Sequence, residues 1–78
     1  MKDYLTQCLL VRSHEGREHR LVSWLDTNKA TVGKRYMVET DGEWTGPWTV
    51  RETWAQLHKS QVQLVQSSFR HHREATDV

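Results

Sequence analysis

Cysteine, proline and phenylalanine each occur once in this chain of 78 residues. With Cys8 alone, no intrachain disulfide framework is possible, so packing must hold the fold and a reducing compartment is favoured. Long apolar runs are missing too. The longest, Cys8 to Val11, is far short of a membrane span, so no membrane role is expected. Met1-Lys2-Asp3 opens a mixed polar stretch, which predicts no secretory leader. No charge of one sign predominates: 11 Lys and Arg stand against 10 Asp and Glu, a net charge of +1. Extensive neutralisation of phosphates normally leaves a basic excess or a basic stripe, and neither is pronounced here. Apolar residues make up only 36% of the chain and the mean hydropathy is −0.81, which predicts one small domain over 1–78 with a thin core.

What is abundant is tryptophan. Four of them, each able to bury roughly 200 Å², must seal much of that core. The most informative stretch is Val32 to Val50. Arg35 to Thr40 alternates Tyr36, Val38 and Thr40 against Arg35, Met37 and Glu39, the period-two pattern of a half-buried strand. Asp41-Gly42 supplies the positive φ angles of a tight hairpin turn. After Trp44, Gly46-Pro47 interrupts the ladder, because proline has no N–H to donate. Pairing resumes at Trp48, continuing through Trp54 to about Leu57 with Trp48, Val50 and Trp54 on one face. Gly33 predicts a sharp corner before this hairpin. Upstream, Tyr4 to Val11 and His19 to Leu25 read as strands joined by a polar loop over Arg12 to Glu18, with a turn at Asp26 to Lys29.

The last third changes period. Val62, Val65, Phe69 and His72 fall at steps of three, four and three, one face of a helix. Ser60 with Gln63 fits a capping box, and Thr53 with Gln56 is a rival earlier start. The expectation is an α+β fold: a β-rich part over 1–57, about four strands in a small antiparallel sheet or an SH3-like, partly open barrel, and a C-terminal helix over 60–75. Such a helix, roughly 22 Å long, exceeds what four short strands can cover. Its last turns would face solvent or a partner.

Chemistry is sparse, and the chain is not expected to be an enzyme. A nucleophile needs a base within reach, oriented by a third group. Cys8 lies in an apolar strand, where it reads as a small core residue, and only a coincidence of folding would make His14 or His19 its base. No phosphate loop, nucleophile elbow or His-Glu-x-x-His occurs. Five histidines (His14, His19, His58, His71, His72) lack the paired spacing of a zinc site; they read as surface groups, except that His72 falls on the apolar helical stripe and reads as a packed or interface residue, and no metal or other cofactor is expected.

The pattern Trp24-Leu25, Ala30, Val32-Gly33-Lys34, an acidic-Gly turn, Trp44 and Trp48-x-Val50 resembles a group of short uncharacterised bacteriophage proteins. The tail Phe69-Arg70-x-x-Arg73-x-Ala75-Thr76-Asp77 is similar to their C-terminal ends, so the likeness spans roughly Ser23 to Asp77. The resemblance implies a phage or prophage origin and action in the host cytoplasm. It implies no activity. On the residues alone, protein binding ranks first, because Trp, Tyr and Arg dominate interface hot spots. The candidate partner-binding residues are Trp44, Tyr36, Arg35, Phe69, Arg70, His72 and Arg73. The expected partner is a host or phage protein, which phage proteins of this size often occlude and so modulate or inhibit; homodimerisation through the helix is a second option. Nucleic acid is the alternative, with Trp44 and Tyr36 as stacking platforms among Arg12, Arg17, Arg20, Lys34, Arg35, Arg51, Arg70 and Arg73. Glu15, Glu18, Glu39, Glu43 and Glu52 sit among those bases and would repel phosphates. A virion-associated structural role is a further alternative.

Overall fold

Two glycine-containing turns set the frame. The computed structural model describes residues 3–75. Glu15 (φ 54°) and Gly16 (φ 75°) close one hairpin, and Asp41 (φ 50°) and Gly42 (φ 82°) close another. Positive φ at both central residues is the type I′ geometry, whose twist matches that of the flanking strands. The first turn joins β1 (Tyr4–His14) to β2 (Arg17–Asp26), and the second joins β3 (Arg35–Thr40) to β4 (Glu43–His58). The loop expected over Arg12 to Glu18 is therefore strand almost throughout, with the turn held to two residues.

Among the described residues the strands form one five-stranded antiparallel sheet in the order β2-β1-β4-β3-β5, where β5 is His72–Glu74. β4 is the shared strand. Its first part pairs β3, from Thr40↔Glu43 to Arg35↔Thr49, and its second part pairs β1, from Val11↔Thr49 to Tyr4↔His58. The register shifts between Tyr36 and Val38, between Leu9 and Leu10 and between Thr6 and Cys8, each time with one extra residue on β4. Such bulges bend a strand and increase its twist. Both halves of the sheet thus contribute to one core of Cys8, Leu10, Leu25, Tyr36, Val38, Trp48 and Val50, with Leu21 and Ala30 packed against it. The bulge between Val50 and Glu52 also shifts the alternation beyond it. Trp54 consequently leaves the face of Trp48 and Val50 and stands 50% exposed, contrary to the sequence pattern.

The expected C-terminal α-helix over 60–75 is absent, and with it the α+β class: this is an open, mostly β sheet. After β4, Lys59–Ser68 forms 3-10 turns interrupted at Val65 (φ −123°, ψ 16°). Neither Ser60 nor Thr53 caps an α-helix. His58 caps the 3-10 segment instead, its Nδ1 accepting the Ser60 N–H at 3.1 Å. The chain then returns to the sheet, the Glu39 N–H donating to the His71 carbonyl at 2.9 Å, and β5 pairs β3 through Tyr36↔Glu74, Met37↔Arg73 and Val38↔His72. The Val62–Val65 step of three suits a 3-10 turn as well as an α-helix. A homodimer through a C-terminal helix has no helix to use.

A short Thr27–Lys29 turn follows β2 and receives the Tyr36 hydroxyl, which donates to the Lys29 carbonyl at 2.6 Å. Gly33 (φ 97°) makes the corner before β3, its N–H donating to the Val50 carbonyl at 2.9 Å. At the β4 bulge Gly46 has φ 140°, and the Gly46–Pro47 peptide is cis. A Cβ at Gly46 would lie 3.0 Å from Met37 Sδ, 3.1 Å from the Tyr36 carbonyl oxygen and 3.2 Å from Trp48 Cδ1. Gly46→Ala should therefore lose roughly 2–4 kcal/mol, from disallowed backbone plus overpacking. Gly16→Ala, at a turn where an added Cβ meets nothing within 4 Å, should lose only about 1 kcal/mol. Urea-unfolding midpoints measure both, and equal losses would show that the contacts around Gly46 are immaterial.

Candidate functional site

Strand alternation sorts the candidate residues onto two faces. Tyr36 and Val38 are buried, so Arg35, Met37 and Glu39 point outward. Residues opposite one another in a ladder share a face, and Glu39↔Trp44 and Met37↔Arg73 bring Trp44 and Arg73 to that outer side. The Arg73 guanidinium carbon stands 4.7 Å from the centre of the Trp44 ring, a cation–π stack between segments almost thirty positions apart. Trp44 remains 40% exposed. Trp44, Arg73, Arg35 and the half-buried Met37 thus form one outer patch on the β4-β3-β5 half of the sheet.

Tyr36 and His72 lie on the other side. Tyr36 is 1% exposed and its hydroxyl is engaged with Lys29, so it is a core residue rather than a contact or stacking platform. Burial, with Glu74 nearby, pushes its phenol up from the ordinary range. His72 sits edge-on to Tyr36 with ring centroids 5.6 Å apart. Phe69 and Arg70 fall outside the patch. Phe69, 37% exposed, lines a cavity of about 300 Å³ with Leu5, Asp26, Lys59 and Val62, where Lys59 Nζ bonds Asp26 Oδ1 at 3.0 Å. Arg70 is half-buried. The predicted set therefore divides: Trp44, Arg35 and Arg73 converge, and the other four do not join them. Met37 was missed, although its alternation with Tyr36 placed it beside Arg35.

Arg20, Arg51, Arg12 and Arg73, four of the eight basic side chains that could track a phosphate backbone, have other occupations. Glu18 accepts from Arg51 Nη1 at 2.6 Å and from Arg20 Nε at 3.1 Å, and these bonds hold its carboxyl below the usual range. Arg12 lies over the Trp48 ring at 5.4 Å. Cys8 is fully buried with its Sγ–H donating to the Thr6 carbonyl, and burial pushes the thiol up to about 11, so it stays neutral at pH 7. His14 and His19 stand 6.1 Å apart at the hairpin tip, and among the described residues no three His, Cys, Asp or Glu side chains converge to hold a metal ion. No helix among the described residues is long and apolar enough to cross a membrane. No protein-family model matches the chain, and comparisons with curated proteins and with solved structures give no match.

His72 carries a pH dependence. Burial first, then the Lys29 charge and His71, lower its pKa below the ordinary value of about 6.5, while Asp26 and a hydrogen bond to the Arg70 carbonyl act the other way. The unfolded chain thus binds the proton more readily than the folded one. The stability contribution is complete above about pH 6.5 and is lost as pH falls towards the folded-state value. The urea midpoint should drop between pH 7 and pH 5.5, and His72→Gln should flatten that slope. An unchanged slope in His72→Gln would assign the titration elsewhere.

Proposed function

We propose that this chain is a small non-catalytic binding protein that acts by protein–protein contact through the outer face of β3, β4 and β5. The Arg73–Trp44 stack carries the reading. An indole held by a guanidinium is pre-organised, so little side-chain entropy is lost when a partner covers it. Trp and Arg are the residue types that most often dominate such contacts. Met37 beside them is unbranched and adapts its shape to what packs on it. Arg35 and Arg73 favour a partner surface with carboxylates or exposed carbonyls around an apolar recess. The likeness to bacteriophage proteins supplies the setting: a host or phage enzyme, bound in the host cytoplasm and modulated or inhibited by occlusion. Nucleic-acid binding ranks lower, because Tyr36 is buried and one face of Trp44 already carries Arg73. A role in the virion rests on the same likeness alone.

Affinity capture from host-cell lysate tests the proposal. Trp44→Ala and Arg73→Ala should each weaken retention of the captured protein at least tenfold, about 1.4 kcal/mol or more, with thermal midpoints close to wild type. Capture indifferent to Trp44→Ala would refute the surface. A gel shift with single-stranded nucleic acid that weakens steeply with salt and depends on Trp44 would replace the protein by a nucleic acid.

A further inference from the structure

One side chain anchors the shortest strand of the sheet. Of the three residues of β5 only His72 is half-buried; Arg73 and Glu74 are exposed. Among the described residues β5 pairs with β3 alone. Hydrogen bonds close the two ends of that pairing, the Glu39 N–H donating to the His71 carbonyl at 2.9 Å and the Ala75 N–H to the Arg35 carbonyl at 3.2 Å. A ladder this short on a sheet edge belongs to the low end of local stability. Successive side chains of a strand point to opposite faces. His72 faces inward, edge-on to Tyr36 with ring centroids 5.6 Å apart, and Arg73 faces outward, 4.7 Å from the Trp44 ring centre. Adjacent residues of one strand thus make the inner contact and the outer stack, and both are lost if the strand leaves β3.

The place that holds His72 suits a neutral ring. Its Nε2 is buried without a hydrogen-bond partner, and a hydrogen bond joins the ring to the Arg70 carbonyl. A bare acceptor nitrogen can occupy that position, but a second N–H would carry charge into it with no group to receive it. The neighbours add to this. The Lys29 ammonium, from the turn after β2, and His71, on the same segment, oppose a further positive charge. From β3, Tyr36 presents its ring edge, and its hydroxyl already donates to the Lys29 carbonyl. Glu74 bears on that phenol. Asp26, at the end of β2, favours the charge, yet Lys59 takes its Oδ1 at 3.0 Å and Lys29 stands 4.0 Å from its Oδ2. A protonated His72 is better placed in water, and separation of β5 from β3 takes it there.

We propose that His72 latches β5 to β3 and that its protonation releases the strand and draws Arg73 off Trp44, so that the outer face is assembled at neutral pH and loosened in acid. The consequence for binding rests on that face being the partner surface, whereas the latch is measured without a partner. Amide hydrogen exchange on the full chain, normalised for the pH dependence of a free amide, reads the opening of β5 at Glu39 and Ala75. Their protection should fall about three- to eightfold between pH 7 and pH 5.5, eightfold being the most that one imidazole with an ordinary value near 6.5 can contribute over that range. Low urea should leave this opening unchanged, because it exposes little surface. Gly33 and Val50, whose N–H groups donate to the Val50 and Lys34 carbonyls, should show the full urea dependence of global unfolding. His72→Phe and His72→Gln cannot take the proton, so the protection of Glu39, at whatever level, should be the same at both pH values. Trp44→Ala removes a contact made only with β5 in place and should raise the opening about two- to fivefold at either pH. Protection that is level with pH in the wild type, or that falls equally in both His72 variants, would overturn the latch. Full urea dependence at Glu39 would show that β5 leaves only with the whole fold, and indifference to Trp44→Ala would show that the stack does not travel with the strand; either result also overturns the proposal.

Discussion

A single sheet has two faces, and a chain with few large apolar residues dries one of them along most of its length; on the other, Leu5 and Trp24 are buried at the end where the Lys59–Ser68 segment packs. The first face is closed by bending the sheet on itself, and β4 is where it bends. Three extra residues along β4 shift its register against both neighbours. One part can then carry β3 and β5 while the other carries β1 and β2, and Tyr36 and Trp48 meet Leu10 and Leu25 inside. Gly46 belongs to the same constraint, since any side chain there would press on the Tyr36 carbonyl and the Trp48 ring. The bend, more than the strand pairing, positions everything that follows.

A thin core also forces polar atoms into dry places. Tyr36 brings a hydroxyl inside and places it on the Lys29 carbonyl, and the Trp48 indole N–H donates to Thr45 Oγ1 at 3.0 Å. Ser23 Oγ and Trp24 Nε1 have no such partner, and a buried donor or acceptor left alone costs on the order of 1–3 kcal/mol. Both lie in β2, an edge strand. Edge position in the ladder does not expose them: Ser23 is fully buried and Trp24 is nearly so.

The sequence made the turns and the β3–β4 hairpin readable, because Asp41-Gly42 needs positive φ and the Tyr36/Val38 alternation needs a covered face. Trp44 and Arg35 were readable as candidate contact residues, but the pattern left open whether Trp44 is exposed. It did not disclose the bulges: an extra residue leaves composition and local period almost unchanged, yet it carries Trp54 from the core side to solvent. The C-terminal segment failed for a related reason. Val62, Val65, Phe69 and His72 satisfy a helical stripe, but the sheet offered β3 an unpaired edge, and pairing at Val38↔His72 won over local periodicity. Arg73 was named for its place on a helix end, and it reached Trp44 by becoming strand.

The two ends of the strand order have opposite characters. β5 is three residues long and offers a partner's strand little ladder, so the neighbouring surface must act through side chains: the Trp44–Arg73 stack, Met37 and Arg35. β2 is ten residues long and unbulged, but Ser23, Trp24 and Leu25 are buried, so its open length runs from Arg17 to Val22 and is dominated by the charged Arg17, Glu18 and Arg20, side chains that discourage pairing with another strand. A surface built on one aromatic–cation stack is small for tight binding to a single site. Its strength must come from what packs on the indole that Arg73 holds in place, since a pre-ordered side chain loses little entropy when covered.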